Sequence, residues 1–418
     1  MPDAAHPYPS INGSRLIGRH RSMAAIGATG RGGVNRQALS HEDTQARQLL
    51  LSWSSARGYL AEIDPIGNLF IRRIGKQADL PPVMTGSHLD TQPTGGNYDG
   101  VFGVLAGFEL LESLDDASMN ANRSIELVVW MNEEGSRFAP TTMGSAVSAG
   151  CLALDVALNA VDTAGVSVRQ ALDEHLAALP GLGHRPLGST GHSFVEAHIE
   201  QGPILEVERK KIGIVSGIQG MCSLEVEVNG FEAHAGTTPS RNRRDAVVAA
   251  MTLLERLRAK LHDPTDVLRF TVGRFEVSPG SPNTVPGRVV FTIDLRHPDV
   301  EYMLRCSETI RALSSGTVEA CSVNSRLHLQ SDPVQFAPSI TAEIRSAAVR
   351  RNAPHMNIIS GATHDSRYAA RKMPTGMLFI PCEKGISHNE AESVHADDLI
   401  VGAQVLSDTV LSMAGVGP

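Results

Sequence analysis

The sequence is short of cysteine, of aromatic residues and of long apolar runs, and each shortage excludes a class of protein. Its five cysteines are odd in number and scattered, without a CxxC pair, so they predict neither a disulfide framework nor a thiolate zinc site. We interpret them as reduced structural thiols. No apolar run could span a bilayer, and the first residues lack the continuous apolar segment of a secretory signal. These absences favour a cytoplasmic protein with no membrane partner.

Positive charge is also scarce. The chain has 37 Lys and Arg against 45 Asp and Glu, a formal net charge of -8, and no long basic run. It therefore offers no electrostatic footprint for nucleic acid, and small molecules are the favoured partners. A length of 418 residues with 42% hydrophobic content exceeds the usual single domain and predicts a globular protein of two domains, one interrupted by the other.

Four short apolar runs are predicted to form buried strands, and polar residues follow or end each run. The runs are "PPVMTGSH", "SIELVVWM", "HSFVEAHIEQGPILEV" and "TGMLFIPC". In an open α/β sheet, ligands bind at the carboxyl ends of the strands, so we expect the polar residues to meet at one rim. These residues are His88, Asp99, Glu133, Glu134, His198 and His388.

The pattern changes between residues 212 and 329, where alternating runs such as "SLEVEVNGF" are mixed with two helical segments. The order of strands, helix, strands, helix, strand predicts an inserted α+β domain, with both helices on one face of a small sheet. Residues 1–211 and 330–418 would then form the larger domain around this insert.

The loop "TGSHLDTQPTGGNYDG" places a histidine and two aspartates among four glycines. Imidazole and carboxylate are the usual ligands of zinc, manganese, cobalt and nickel, so His88 and Asp99 are candidate ligands. Asp90 is placed to accept the other ring N–H of His88. A plainer interpretation is that "HLD" is a polar turn and that Asp99 caps the helix that follows. For the loop alone, both interpretations stay open.

Glu133 and Glu134 are adjacent after an apolar strand, where two solvated surface carboxylates would be the ordinary expectation. Beside a metal, one can ligate while the other acts as a general base for water. His198 and His388 are individually weak candidates among 16 histidines, and only their positions at strand ends favour them.

Together these motifs resemble the M20 metallopeptidase-like amidohydrolases, in the branch of N-carbamoyl-L-amino acid hydrolases, β-ureidopropionase and allantoate amidohydrolase. The resemblance spans nearly the whole chain, through "GSHLDTQPTGGNYDGVFGVL", "NEEGSRFAPTTMGS", "EAHIEQGPILE", "FEAHAGTTP", "GSPNTVPGRVVFTIDLRHPD", "SGATHDS" and "PTGMLFIPCEKGISHNEAE". It implies an α/β, zinc-peptidase-like catalytic domain with a mixed sheet flanked by helices. A smaller ferredoxin-like α+β lid or dimerisation domain would interrupt it, and the protein would be a homodimer.

The resemblance also implies two divalent metal ions per subunit, Zn, Mn, Co or Ni. His88 and His198 would hold one ion, Glu134 and His388 the other, and Asp99 would bridge them. Glu133 would be the catalytic base. His234 would stabilise the oxyanion from the inserted domain, although by itself it would be a surface histidine at a strand end. The substrate-contacting positions would be Gln201, His234, Asn283, Arg296 and His364. Arg296 could grip a substrate carboxylate, whereas "DLRHPD" alone favours a surface salt bridge.

The function implied is hydrolysis of the ureido C–N bond of an N-carbamoyl-L-amino acid or similar ureido acid, releasing the amino acid, CO2 and ammonia. The alternatives are an allantoate amidohydrolase, an M20 aminoacylase or dipeptidase, and a non-catalytic binding protein. A binding protein is disfavoured because it would not need Glu133 beside Glu134. The chain departs from many relatives at "SGATHDS", where they read "SGAGHD", so the preferred substrate side chain stays open.

Overall fold

The structure, a computed structural model, describes residues 7–188 and 190–416. Its helices and strands follow the apolar patterns of the sequence. Before residue 219 the elements are α1 (Gly13–Ala24), α2 (His41–Ala56), β1 (Leu60–Ile63), β2 (Leu69–Arg73), β3 (Val83–His88), α3 (Val101–Asp116), β4 (Ile125–Trp130), α4 (Met143–Ser148), α5 (Leu154–Leu158), α6 (Val168–Ala177), β5 (Gly183–His184), β6 (Ser193–Ile199), α7 (Ile204–Val207) and β7 (Ile212–Ile218).

The remaining elements fall in two groups along the chain. From residue 220 to 335 they are β8 (Gly220–Asn229), β9 (Ala233–His234), α8 (Ala246–Lys260), β10 (Arg269–Ser278), β11 (Thr284–Val285), β12 (Arg288–His297), α9 (Val300–Leu313), β13 (Gly316–Val318), β14 (Cys321–Ser331) and β15 (Val334–Gln335). After residue 335 they are α10 (Pro338–Arg350), β16 (His355–Ser360), α11 (Ser366–Ala369), β17 (Thr375–Ile380) and α12 (Ala396–Met413).

These elements form two units. The first contains the described residues of Met1–Ser216 and Phe336–Pro418, and the second is Gly217–Gln335. In the first unit the central strands run in the order β7-β17-β6-β3-β4-β2-β1. The neighbours β17, β6, β3 and β4 are mutually parallel, whereas β7, β2 and β1 add antiparallel pairs. The sheet is therefore mixed, as predicted.

Helices flank this sheet and bury its parallel strands. Helix α3 packs on β3, β4 and β6, and α12 packs on α3, β17 and β6. All residues of β3, β4, β6 and β17 are buried, which explains why these strands read as continuous apolar runs rather than alternating ones. One expectation was too long, because the tail of "HSFVEAHIEQGPILEV" leaves the strand and forms the short helix α7.

The second unit has a five-stranded antiparallel sheet in the order β10-β12-β8-β14-β13. Helices α8 and α9 contact each other and both pack on β8 and β12. The residues of β8 alternate between buried and half-buried, which gives the sheet one apolar face for the helices. This is the predicted α+β arrangement. A separate two-stranded sheet pairs β9 with β11.

Two findings bear on the opening expectations about cysteine and membranes. All five cysteines are free thiols, four of them buried and Cys151 exposed. Among the described residues, every helix is too short or too polar to cross a membrane.

Candidate metal centre

The candidate site residues lie at or just beyond the carboxyl ends of the four parallel strands. His88 is the last residue of β3, and Glu133 follows β4 after two residues. His198 is the next-to-last residue of β6, and His388 follows β17. Because these strands are parallel neighbours, their ends share one rim, so the predicted convergence of the strand ends is confirmed.

The side chains form two groups that share Asp99. In the first, Oδ1 of Asp99 lies 3.9 Å from Nε2 of His88 and 3.1 Å from Nε2 of His198. In the second, Oδ2 of Asp99 lies 3.3 Å from Nε2 of His388, which is also 3.3 Å from Oε2 of Glu134. In each group the possible ligand atoms lie within 4.8 Å of one another. Asp99 therefore offers one oxygen to each group.

Main-chain carbonyls orient the two buried imidazoles. Nδ1 of His88 lies 2.9 Å from the carbonyl oxygen of Asp90, and Nδ1 of His198 lies 2.9 Å from that of Ile199. With Nδ1 of each ring held by a carbonyl, Nε2 is the ring nitrogen that faces Asp99.

The expected role of Asp90 needs a correction. It accepts from His88 through its carbonyl oxygen, whereas its carboxylate is 3.8 Å from the ring nitrogen. The carboxylate instead accepts the N–H of Glu133 at 3.2 Å and that of Glu134 at 3.1 Å. Asp90 therefore fixes the main chain of both glutamates, because its own carbonyl oxygen already contacts the ring nitrogen of His88 and leaves the carboxylate free for the two amides.

The plainer interpretations of Asp99 and the two glutamates are wrong. Helix α3 begins at a Gly100 N-cap with no side-chain cap, so Asp99 does not cap it. Glu133 is 8% exposed and Glu134 is 7% exposed, so neither is a solvated surface carboxylate. Both are instead enclosed beside the candidate ligands.

Burial and crowding of carboxylates perturb the acidity of the site. Burial raises the pKa of Glu133 well above its usual range, and neighbouring carboxylates raise it further. Burial, followed by repulsion from Asp99, raises the pKa of Glu134 to about 8. Burial also acts to raise the pKa of Asp99, but hydrogen bonds to His198 and His388 outweigh it and hold this pKa well below its usual range.

These residues fit a divalent cation. The ligand atoms are imidazole nitrogens and carboxylate oxygens, a set suited to zinc, manganese, cobalt or nickel and unlike the all-oxygen sites of calcium. Burial, together with neighbouring carboxylates, raises the pKa values of Glu133 and Glu134, and a cation beside them would favour their charged forms.

Gln201 and His364 also lie at this rim. The Gln201 amide donates to Oδ2 of Asp99 at 2.9 Å, and the ring of His364 lies 4.4 Å from that of His198. Gln201 and His388 both adopt positive φ angles, 58° and 53°. Such left-handed conformations cost energy in residues other than glycine and concentrate at functional sites.

The other predicted residues lie in the second unit. His234 is in β9, and Asn283 directly precedes β11, the strand that pairs with β9, so the structure brings these two residues together. Nδ1 of His234 accepts N–H bonds from Gly236 and Thr237. Arg296, in β12, has its Nε 2.9 Å from the carboxylate of Asp294, the salt bridge that its local sequence favours.

Sequence reasoning missed several residues that contact or lie near the candidate site residues. Gln92 donates its amide to Glu134 at 2.7 Å. Ser387 and Glu392 contact the Asp99 loop. Asp365 is fully buried and accepts from Ser145 at 2.5 Å. All four lie inside motifs quoted above. The sequence marks them only as polar residues close to a candidate site residue.

Comparison with known proteins agrees with this arrangement. The pattern of Peptidase family M20/M25/M40 matches residues 84–412. An N-carbamoyl-L-amino-acid amidohydrolase of Rhizobium meliloti is 39% identical over 411 residues, covering 97% of this chain and 97% of that protein. An allantoate amidohydrolase of Bacillus subtilis is 32% identical, covering 94% of this chain and 95% of that protein.

A solved structure gives the same picture. An amidase of the hydantoinase/carbamoylase family from Burkholderia multivorans has a TM-score of 0.89 and 41% identity, covering 97% of this chain and 98% of that one. The sequence similarity and the structural similarity both extend over almost the full chain. The chain therefore belongs to peptidase family M20/M25/M40, in the group that contains N-carbamoyl-L-amino-acid and allantoate amidohydrolases.

Proposed function

We propose that this protein is a metal-dependent hydrolase that cleaves the ureido C–N bond of an N-carbamoyl-L-amino acid. The observation that carries the proposal is the pair of ligand groups sharing Asp99, with the buried carboxylate of Glu133 3.6 Å from His88. The relatives named N-carbamoyl-L-amino-acid amidohydrolase support the substrate class. The products would be the amino acid, CO2 and ammonia.

Two divalent ions, Zn, Mn, Co or Ni, would be held by the two groups. His88 and His198 would hold the first, Glu134 and His388 the second, and Asp99 would contribute to both. Such ions, when bound, supply Lewis acidity, which polarises a carbonyl and makes water more acidic. Gln92 and Gln201 would hold the carboxylates of Glu134 and Asp99 in place.

Glu133 would move the proton. Its carboxylate would accept a proton from the attacking water as the water oxygen bonds to the ureido carbon. It would return that proton to the leaving nitrogen when the C–N bond breaks. Its main chain is fixed by Asp90, so the carboxylate is presented from a rigid loop.

Residues of the second unit would complete the site. His234 would donate to the oxyanion that forms on the ureido oxygen. Arg296 would bind the substrate carboxylate through two parallel N–H bonds, with Asp294 orienting the guanidinium. Gln201, Asn283 and His364 would contact the rest of the substrate.

We also propose a homodimer that associates through the second unit. Large apolar side chains are exposed there, with Phe231 68%, Met251 63% and Val248 49% exposed. Val248 and Met251 are three residues apart on α8 and so lie on one side of it. Exposed apolar clusters of this kind mark contact surfaces between proteins. In this arrangement His234 and Asn283 would serve the active site of the partner subunit.

Allantoate is the second candidate substrate, because a relative named allantoate amidohydrolase covers almost the whole chain. Allantoate also carries ureido groups beside a carboxylate, so the same residues could act on it. The two functions differ in substrate and not in the chemistry of the bond.

The test is a substrate panel. Purified enzyme loaded separately with zinc, manganese, cobalt or nickel is incubated with N-carbamoyl, N-formyl and N-acetyl amino acids, with dipeptides and with allantoate, while ammonia and free amine are measured. We expect the fastest turnover with an N-carbamoyl-L-amino acid, and loss of activity after chelation. Faster cleavage of allantoate would select the second candidate. Faster cleavage of N-acetyl amino acids or dipeptides, or full activity in metal-free enzyme, would contradict the proposal.

A further inference from the structure

Glu392 is a buried acid four residues after His388 that the proposed chemistry does not use, and it is 4% exposed. We propose that Glu392 is a positioning residue that fixes Asp99 and His388 relative to each other and thereby sets the metal affinity of the centre. The inference rests on the proposed function, since it assumes that these two residues are ligands. It assigns Glu392 no contact with substrate.

The first part of the argument is its contact with the Asp99 loop. Oε1 of Glu392 accepts the N–H of Tyr98 at 2.9 Å and the N–H of Asp99 at 3.1 Å. Two main-chain donors on one carboxylate oxygen hold the backbone at Asp99 itself. The position of the Asp99 backbone therefore depends on Glu392.

The second part is its contact with the segment that carries His388. Oε2 of Glu392 lies 3.0 Å from the hydroxyl of Ser387, and the same hydroxyl lies 3.1 Å from Oδ2 of Asp99. Ser387 is adjacent to His388. One carboxyl group thus contacts the main chain of the Asp99 loop and, through one hydroxyl, the segment that presents His388.

His388 needs such an anchor more than the other candidate ligands. Its side chain is 50% exposed and its φ angle is 53°, whereas the side chains of His88 and His198 are 2% and 1% exposed. An exposed residue in a left-handed conformation keeps its place only if nearby structure holds it. The N–H of Glu392 donates to the carbonyl of Asn389 at 3.0 Å and so closes a turn directly after His388. Glu392 is the buried residue of that turn.

Gly96, in the loop that carries Asp99, supports the assignment. A Cβ atom added to Gly96 would lie 2.1 Å from Cδ of Glu392 and 2.2 Å from its Oε1. The carboxyl group therefore occupies the space that any larger residue at position 96 would need. The close fit of Gly96 and Glu392 indicates that the loop and the acid are matched to each other, which gives a second way to disturb the same contact.

The experiment measures metal affinity directly. Zinc dissociation constants are determined by competition with a chromophoric chelator for the wild type, Glu392→Gln and Glu392→Ala, and Co²⁺ absorption spectra report the ligand geometry. Loss of groups that orient metal ligands typically weakens metal binding by about 10- to 100-fold, and we expect this range, with the larger loss for Ala. Glu390→Gln is the matched control, since Glu390 lies on the same segment and its partner is an exposed arginine, Arg31, at 3.9 Å. It should bind zinc as the wild type does.

A double-mutant cycle tests the contact itself. Gly96→Ala should weaken zinc binding in the wild-type background but add little to Glu392→Gly, which lacks both the carboxyl group and the Cβ that would lie 2.4 Å from the added carbon. Gly30→Ala is the control glycine, because an added Cβ there meets nothing within 4 Å. If Glu392→Ala does not fold, the isosteric Glu392→Gln carries the test.

The possible results separate the two proposals. If the wild type binds no zinc, manganese, cobalt or nickel, the proposed function fails. If the wild type binds metal and Glu392→Gln binds it equally tightly with the same cobalt spectrum, the proposed function stands and the positioning role is overturned. A lower thermal stability of the metal-free variants with unchanged zinc affinity would also overturn it, because Glu392 would then serve only the fold.

Discussion

At the scale of single residues, the centre assigns different environments to two adjacent glutamates. The carboxylate of Asp90 accepts the main-chain N–H groups of Glu133 and Glu134. From this fixed backbone the two side chains extend in different directions. Glu134 reaches Gln92 and His388, whereas Glu133 lies beside His88 without a side-chain hydrogen bond to a candidate ligand. One carboxylate is thus enclosed by the ligands, and the other is available for proton transfer.

Replacement of Glu133 by Gln tests this division. We expect turnover to fall by at least about 100- to 10,000-fold, because the amide cannot accept the proton of the attacking water. Metal content should be unchanged, whereas Glu134→Gln should lose metal as well as turnover. Turnover numbers and metal analysis of both variants decide the matter. Near-normal turnover in Glu133→Gln with full metal content would place the base elsewhere.

His20 gives a prediction about stability and pH. It is 5% exposed, and neither ring nitrogen has a hydrogen-bond partner among the described residues. Burial lowers its pKa from the ordinary 6.5 to about 3. The unfolded chain therefore binds a proton first as the pH falls, and stability is lost from about pH 6.5 down to the folded pKa. Between pH 7.5 and 4.5 this single group should cost about 2 to 3 kcal/mol.

Urea unfolding of metal-free wild type and His20→Leu at these two pH values measures the effect. The loss of unfolding free energy on acidification should be smaller in His20→Leu than in the wild type by about that amount. Other titrating groups act equally in both proteins and cancel in the difference. A change at the exposed His262 to Leu is the control. An identical acid response of His20→Leu and wild type would contradict the prediction.

The candidate site residues could be named from the sequence one by one, whereas their supporting contacts could not. His88 and Glu134 could be named because ligand-type residues stood at the ends of apolar strands. The bond between Glu392 and the N–H of Asp99 joins positions 293 residues apart, and no local pattern specifies such a pairing. Asp90 shows the same limit, since its position was right but the atom that contacts His88 depends on how the backbone turns.

At the scale of elements, the strands were predictable and the turns between them were not. Strands buried on both faces are continuous apolar runs, so β3, β4 and β17 could be read directly. The second residue of the loop after β4, Asn132, instead has a φ of 53°, a conformation that most residues avoid. Its side chain donates to the carbonyls of Phe138 at 2.8 Å and Pro140 at 3.1 Å. Side-chain bonds of this kind override local preference.

Changing Asn132 to Gly or to Ala separates its two contributions. Both variants lose the two side-chain bonds, but only Ala pays the cost of a Cβ in the left-handed region. We expect Asn132→Ala to be less stable than Asn132→Gly by about 1 kcal/mol in urea unfolding, and to turn over more slowly because Glu133 is the next residue. Asn352, which is exposed with a φ of 52°, is the matched control. There the same order of stability should appear without an effect on turnover. Equal stability of the two Asn132 variants would argue against backbone strain.

At the scale of the whole molecule, the insertion was predictable because its pattern differs from that of the flanking chain. Helices α8 and α9 and the alternating strand β8 were evident from periodicity. The role of the insertion could not be predicted from this pattern. The unit Gly217–Gln335 contains three candidate site residues but no metal ligand of the proposed centre. If the second unit supplies His234 to a site whose ligands lie in the first unit, the supply can be within a subunit or across a dimer.

A hybrid dimer distinguishes these two arrangements. Glu133→Ala and His234→Ala chains should each be nearly inactive, because one lacks the proposed base and the other the proposed oxyanion donor. If His234 acts in the partner subunit, a hybrid dimer combines the intact Glu133 of one chain with the intact His234 of the other in one site, and its second site carries both defects. With random exchange half of the dimers are hybrids, so about a quarter of all sites should regain wild-type composition. Activity after mixing, with hybrid formation verified by differential tags, measures this. Exchange that leaves activity at the sum of the two variants would show that each subunit completes its own site, because neither chain in the hybrid then holds both residues.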